Sequence, residues 1–474
     1  MSLPHLSEVE PFQNTKIFCQ MDNLEKKRTM KLSVSEGSAA AVMAGAGDTY
    51  IAPFALSLGA NNFLIGLISS LPALVSPIAQ IVGSRLMEKR SRKQIMTLGP
   101  VFQALMWLPI IVLGLIYWHG VSSFIPTVLV IVYAIYAIFG AVGGPAWFSL
   151  LGDIVPARIR GKYFGKRNKV CTSVTVAATV LAAFVLDYYK TKGMVLLGFA
   201  VIFLAASVSR MISAYLLNRY YEPELKLEEG YYFSFWQFVA KAPGNNFGRF
   251  VIYVGLLYFS TLIAAPFFTV YMLRNLGFSY TTLMLVNISA TVFTVLFSPI
   301  LGKFADKYGN RELLKVGGII IPSLPLFWLF SGNPWYLAFV PQVLSGLGWG
   351  AFNLGASNFI YDVVTPQRRG LCITYFNVFM YAGTFFGATV GGAIATYVPI
   401  AFMNNLLFIF LISGLLRALA SLIMLPKIKE VRDVQILSSN PLVYIKEMNL
   451  VEGVIYEALN DFKALESRFF KPKN

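Results

Sequence analysis

The chain has 474 residues, 56% of them hydrophobic and only 13% charged, with a net charge of +16 and a mean hydropathy of +0.63. So little charge cannot cover the surface of a water-soluble protein of this size. The basic residues stand in short clusters between apolar runs, which excludes a folded basic domain and gives no reason to expect a nucleic-acid partner. Cys19, Cys171 and Cys372 lie far apart without metal-ligand spacing, so neither a metal site nor a disulfide framework is implied.

Crossing a bilayer takes roughly 20 apolar residues per helix. The N-terminal tail, residues 1–32, has no apolar h-region, so the first span is expected to direct insertion. Apolar runs then predict spans at 36–58, 62–86, 94–118, 123–151, 168–188 and 193–217. A polar linker, 218–248, follows, and six more runs lie at 249–273, 279–303, 312–331, 334–362, 371–395 and 401–425 before a charged tail, 426–474. The runs are too long and unbroken for barrel strands, so the expected class is an all-α membrane protein with twelve transmembrane helices.

Charge sets the expected orientation. With the N-terminus in the cytoplasm, 34 of the 39 Lys and Arg residues lie inside; Lys190, Lys192 and Arg274 lie outside, and Arg210 and Arg417 within spans. That bias is the positive-inside rule, and it predicts a multi-pass protein of the cell membrane with both termini cytoplasmic.

Two passages recur. DIVPARIRG (Asp153 to Gly161) closes the fourth span and DVVTPQRRG (Asp362 to Gly370) the tenth. SRLMEKRSRK (Ser84 to Lys93) follows the second span and GKFADKYGNR (Gly302 to Arg311) the eighth. Arg210 and Arg417 form a third, weaker pair. The near-constant spacing is that of a duplicated six-span unit.

With these motifs the chain resembles the major facilitator superfamily. GKFADKYGNR is similar to that family's loop signature G-x-L-A-D-R-x-G-R-K, with Phe304 at the Leu and Asn310 at the first basic position; the first copy is degenerate, with Ser84 and Ser91 at glycine positions and Glu88 for Asp. The resemblance covers roughly residues 33–425 and implies two pseudo-symmetric six-helix bundles, 33–217 and 249–425, around a cavity that opens alternately to each side. It also implies a cytoplasmic gate drawn from Glu88, Arg92, Asp153, Arg160, Asp306, Arg311, Asp362, Arg368 and Arg369. In that gate Glu88 engages the start of span eleven near Arg368 and Arg369, and Asp306 the start of span five near Arg160 and Arg167. Ordinary topology-setting charge is the plainer account of the same residues.

Within the spans, Asp48 is the one acid in the middle of an apolar run. A carboxylate there costs several kcal/mol, so it is expected to carry a proton, bind a cation or hold a structural hydrogen bond. Ala41, Ala44, Gly45 and Ala52 form one small-residue face beside it. Polar stripes on spans that the resemblance places around the cavity supply candidate solute contacts: Asn168, Thr172, Thr175 and Thr179 on the fifth; Asn287, Thr291 and Thr294 on the eighth; Gly346, Gly350, Asn353, Ser357 and Tyr361 on the tenth; Asn377, Tyr381 and Thr384 on the eleventh. Such groups also serve simply to hold helices together. Arg210 and Arg417 are expected to snorkel to headgroups, and the resemblance puts their spans on the periphery. Trp147 reads as a stacking platform or an interfacial anchor, and Gly383, Gly387, Gly391 and Gly392 as close helix packing.

Together these features predict a secondary transporter that moves a small neutral or cationic organic solute, with protons as coupling ion and no cofactor. No mid-membrane Arg or Lys is available on this reading to recognise an anion. Drug efflux by proton antiport is the alternative, disfavoured because CTSVTVAATVLAAF lacks the glycines of that branch's G-P-x-x-G-G stretch. A non-transporting receptor on the same fold is another. An enzyme is not expected: the histidines are His5 and His119 alone, and neither H-E-x-x-H nor G-x-S-x-G occurs.

Overall fold

The computed structural model of the chain describes residues 11–120, 123–156, 159–223 and 235–435, with no side chains described for 11–23, 161 and 366–371. Most of the linker, the tail beyond 435 and the side chains of Arg368 and Arg369 therefore lie outside the described residues.

In hydrocarbon each backbone N–H and C=O must be bonded within the chain, so long apolar runs wind into helices. Every regular element among the described residues is a helix. Ten are long and apolar enough to cross a membrane: Leu24–Ser57, Asn62–Leu86, Arg92–Trp118, Ile125–Ile154, Lys162–Thr191, Val195–Asn218, Asn246–Asn275, Tyr280–Tyr308, Cys372–Tyr397 and Asn405–Lys427. Two more complete the twelve as spans nine and ten. Asn310–Phe327 opens on polar residues, and Pro341–Val363, preceded by the short helix Pro334–Phe339, is rich in glycine. Two boundaries depart from expectation. The first helix starts at Pro11, inside the segment read as a tail, and the fifth starts at Arg160, so Arg167 is a helical residue.

The halves repeat one packing scheme. The first span packs on the fifth and sixth, the third on the sixth and the second on the fourth; likewise the seventh packs on the eleventh and twelfth, the ninth on the twelfth and the eighth on the tenth. The glycines of span eleven explain its closeness to span seven. A Cβ on Gly383, Gly387 or Gly391 would come within 2.3 Å of the carbonyl oxygens of Gly255, Phe259 and Ile263.

Between the halves, the second span lies along the eleventh. Their meeting is at the far end, meaning the end opposite the start of span one and the finish of span twelve. There a Cβ on Gly66 would stand 2.6 Å from the Ala388 carbonyl oxygen, and Gly392 approaches Phe63 and Gly66. Asn62 Nδ2 donates to Ala395 O at 3.3 Å, and Arg274 donates to Asn62 Oδ1 at 3.2 Å and to Ala60 O. The Asp187 carboxylate accepts the backbone N–H groups of Tyr280 and Thr281, both at 2.8 Å. Gly66→Leu is expected to wedge the far end apart. Overpacking costs about 1–3 kcal/mol, enough to lower the closed population roughly tenfold or more. Interspin distances across the far end check this.

Candidate functional site

The first span does not run straight through Asp48. Its helix stops at Ala46, residues Asp48–Tyr50 form a 3-10 turn, and a second helix, Ile51–Ser57, follows. The local sequence explains the break. Gly, Asp and Thr are poor helix formers, and Pro53 is tolerated because it falls in the first turn of the new helix. The break also fits its neighbour: Gly47 faces Trp107 so closely that a Cβ would lie 2.5 Å from the ring. Asp48 is half-buried at this turn, and Thr49 beside it is exposed. The Tyr136 hydroxyl from span four lies 2.6 Å from Asp48 Oδ1, to which it donates, and 2.9 Å from Met43 Sδ. Tyr136 in turn packs on Trp107 and Tyr133. Sequence reasoning missed Tyr136; its signal was the Tyr133/Tyr136 pair, one turn apart in a strongly apolar span. The small-residue face of span one packs on span five: Gly45 meets the Thr175 carbonyl, and Thr179 Oγ1 donates to Gly45 O at 3.2 Å. Ala52 lies beyond the break and does not continue that face.

Glu36 is a second intramembrane acid, overlooked because it stands at the edge of the apolar run. It is 4% exposed and accepts from Arg167 Nη2 at 3.1 Å, Ser213 Oγ at 3.0 Å and the Tyr220 hydroxyl at 3.3 Å. Arg167 Nε also donates to Ser33, and its guanidinium lies over the Trp147 ring, 4.7 Å from the centroid. Trp147 is thus engaged inside the bundle by a protein cation.

Neither intramembrane arginine snorkels, which corrects the sequence expectation. Arg210 turns inward, donating through Nε to Gln103 Oε1 at 2.7 Å and through Nη1 to Ser213 Oγ at 3.1 Å. Arg417 is 2% exposed and donates to Ser413 Oγ and to the carbonyls of Ile321 and Thr261. Each has a serine within one helical turn, Ser213 three residues after Arg210 and Ser413 four before Arg417. An acceptor held inside the bundle competes with a headgroup several ångströms away. The ground for expecting no cation within the membrane falls with this.

The paired charges at the near end sort into two groups. Arg92, 1% exposed, pairs with Asp153 at 2.5 Å, and its backbone N–H donates to Glu222 at 2.7 Å. In the second half Asn310 donates to Asp362 at 2.6 Å, while Arg311 N donates to Glu430 at 2.8 Å. Arg92, Asp153, Arg311 and Asp362 thus engage partners within their own halves, and a carboxylate after span six and another after span twelve hold Arg92 and Arg311. Glu88 and Asp306 are exposed and make no side-chain hydrogen bond or ion pair among the described residues. Arg160 donates to the carbonyls of Gly152 and Val155, and Arg167 is committed to Glu36.

Of the polar stripes, Thr172, Thr291, Asn353, Ser357 and Tyr361 are exposed at mid-helix or towards the near end, while Asn287, Asn377, Tyr381 and Thr175 are half-buried. Thr179, Thr294, Gly346 and Gly350 serve helix packing instead. Asn358 points into the bundle, donating to Asn310 at 3.2 Å.

Twelve spans in two like bundles, joined across one end and carrying intramembrane acids in the first, define a membrane transporter of the two-bundle type. The chain belongs to the Major Facilitator Superfamily, which it matches over residues 37–246 and 250–451. It is a transporter and not an enzyme. A multi-drug resistance efflux pump PmrA homolog of Lactococcus lactis is 23% identical over 357 residues, 74% of this chain and 82% of that protein. A variant of the nucleoside transporter NupG shares the fold at a TM-score of 0.65 and 15% identity, over 84% of this chain and all of the other. A bacterial homologue of the iron transporter ferroportin, in its inward-facing state, does so at 0.61 and 15% identity, over 83% and 98%.

Proposed function

We propose that this transporter moves a small neutral or cationic organic solute by alternating access, coupled to protons through Asp48, with both termini in the cytoplasm. One observation carries the reading: a carboxylate stands at a break in span one, held by a single tyrosine hydroxyl and next to exposed Thr49. Its one hydrogen-bond partner is neutral, so the carboxylate can change charge without losing a directly bonded cation. Exposed polar groups at mid-span are costly against lipid, so Thr172, Thr291, Asn353 and Ser357 face the space between the halves. With half-buried Asn287, Asn377, Tyr381 and Thr175, they offer hydroxyl and amide groups to a solute.

The far end is joined, and Glu88 and Asp306 stand free at the near end, as in a cavity open to the near side. The excess of Lys and Arg at that end supports its being cytoplasmic. Closing it would bring Asp306 towards Arg160, since Arg167 is already paired, and Glu88 towards Arg368 and Arg369. The efflux alternative keeps its place through the Lactococcus relative, and it predicts that solute and protons move in opposite directions.

The test is a thermal-shift screen of purified protein against neutral, cationic and anionic organic solutes at two pH values. Any stabiliser then goes into proteoliposomes carrying a lumenal pH dye. A solute that shifts the melting temperature by several degrees and drives a proton flux supports the reading. Solute flux with no proton movement refutes the coupling.

A further inference from the structure

Inside the first bundle, towards the near end, lies a cavity of about 210 Å³ that the Asp48 site does not use. Its walls include Glu36, Gly140, Gly144, Trp147, Arg167 and Arg210. The described wall holds two guanidinium groups and one carboxylate, and the Asp48 carboxylate lies close enough to interact with Arg210. Both arginines are held in place: Arg167 by Ser33, Glu36 and the Trp147 face, Arg210 by Gln103 and Ser213. Those contacts use Nε and Nη2 of Arg167 and Nε and Nη1 of Arg210. One terminal nitrogen of each, Nη1 of Arg167 and Nη2 of Arg210, has no partner among the described residues. Gly144 leaves room on the wall, since a Cβ there would meet nothing within 4 Å.

Pre-oriented guanidinium donors beside an apolar ring suit a compact oxyanion. We infer that this cavity is a binding site for a small monoanion, a carboxylate or inorganic oxyanion, held between Arg167 and Arg210. It goes beyond the solute path assigned above, being lined by residues of spans one, three, four, five and six of one bundle.

The test titrates the purified full-length protein, by calorimetry and thermal shift, with sodium acetate, phosphate and chloride. Uncharged glucose at matched osmolarity is the control. Saturable binding of acetate or phosphate but not glucose is expected, and whichever binds tighter distinguishes a carboxylate from an inorganic source. Arg210→Gln should weaken binding about tenfold or more. Glu36→Gln should tighten it, because it removes the competing negative charge; a purely structural network predicts no such gain. Gly144→Val fills open space without touching the arginines, and should abolish binding while leaving the melting temperature of the anion-free protein unchanged. Absence of saturable binding to the wild type overturns the site, as does equal weakening by Glu36→Gln and Arg210→Gln. If Glu36→Gln fails to fold, unchanged binding in Gly144→Val overturns it alone.

Discussion

Asp48→Asn is expected to abolish solute-coupled proton flux in proteoliposomes while leaving solute binding and downhill exchange measurable. The amide keeps the volume and can still accept from Tyr136 at the 2.6 Å position of Oδ1, so the turn at Gly47 should survive. What it cannot do is change charge. If the carboxylate's two protonation states drive the coupling, accumulation against a gradient should fall to background, a loss of about 100-fold or more for an obligate ion site. Tyr136→Phe should behave differently. Removing the one hydroxyl bonded to the carboxylate costs about 1–3 kcal/mol, so transport should slow with the coupling retained. The two variants together separate a proton carrier from a structural acid. If Asp48→Asn still accumulates solute at a near-normal level, the carboxylate is structural and the coupling group lies elsewhere.

Asp187→Ala combined with Arg274→Ala should release the far end. Asp187 on span five accepts the first two N–H groups of span eight, where the helix dipole favours an anion, and Arg274 reaches back to Asn62 and Ala60. These contacts cross between the halves, so each must break when the far end opens. Hydrogen bonds to charged groups contribute about 1.5–3 kcal/mol each, and the two conformations of a transporter lie within a few kcal/mol. Losing both residues should therefore shift the population by tens-fold or more towards the state open at the far end. Spin labels at Phe124→Cys and Phe402→Cys, both exposed at that end, report the distance in a background lacking native cysteines. An unchanged distance distribution would show that the glycine-lined contact of spans two and eleven holds the end closed by itself.

The span count and the duplication were legible because lipid imposes them locally: each span is a run of apolar residues, whatever it packs against. The glycine row of span eleven was equally readable, since Gly383, Gly387 and Gly391 repeat every turn, the spacing of a close helix contact. Asp48 stood out for the same reason, as a charge where hydrocarbon excludes charge. The fate of the arginines was not legible. Arg210 and Arg417 lie near a span end, where snorkelling and inward pairing read alike in one dimension. The choice depended on Gln103, Ser213 and Ser413 and on carbonyls brought close by other helices. Glu36 was missed likewise: a residue at the margin of an apolar run looks like a boundary until Arg167 and Ser213 converge on it.

By itself, then, the sequence determined how many helices cross the membrane, that they form two related sets, and which carboxylate lies at mid-span. The tertiary structure decided that span one breaks at Gly47, that Tyr136 answers Asp48, that Arg92 and Arg311 work within their own halves, and that the halves are joined at the far end. The division has a physical cause. Burial in lipid is a property of each segment alone, whereas the partner of a charge is set by geometry between helices tens to hundreds of residues apart.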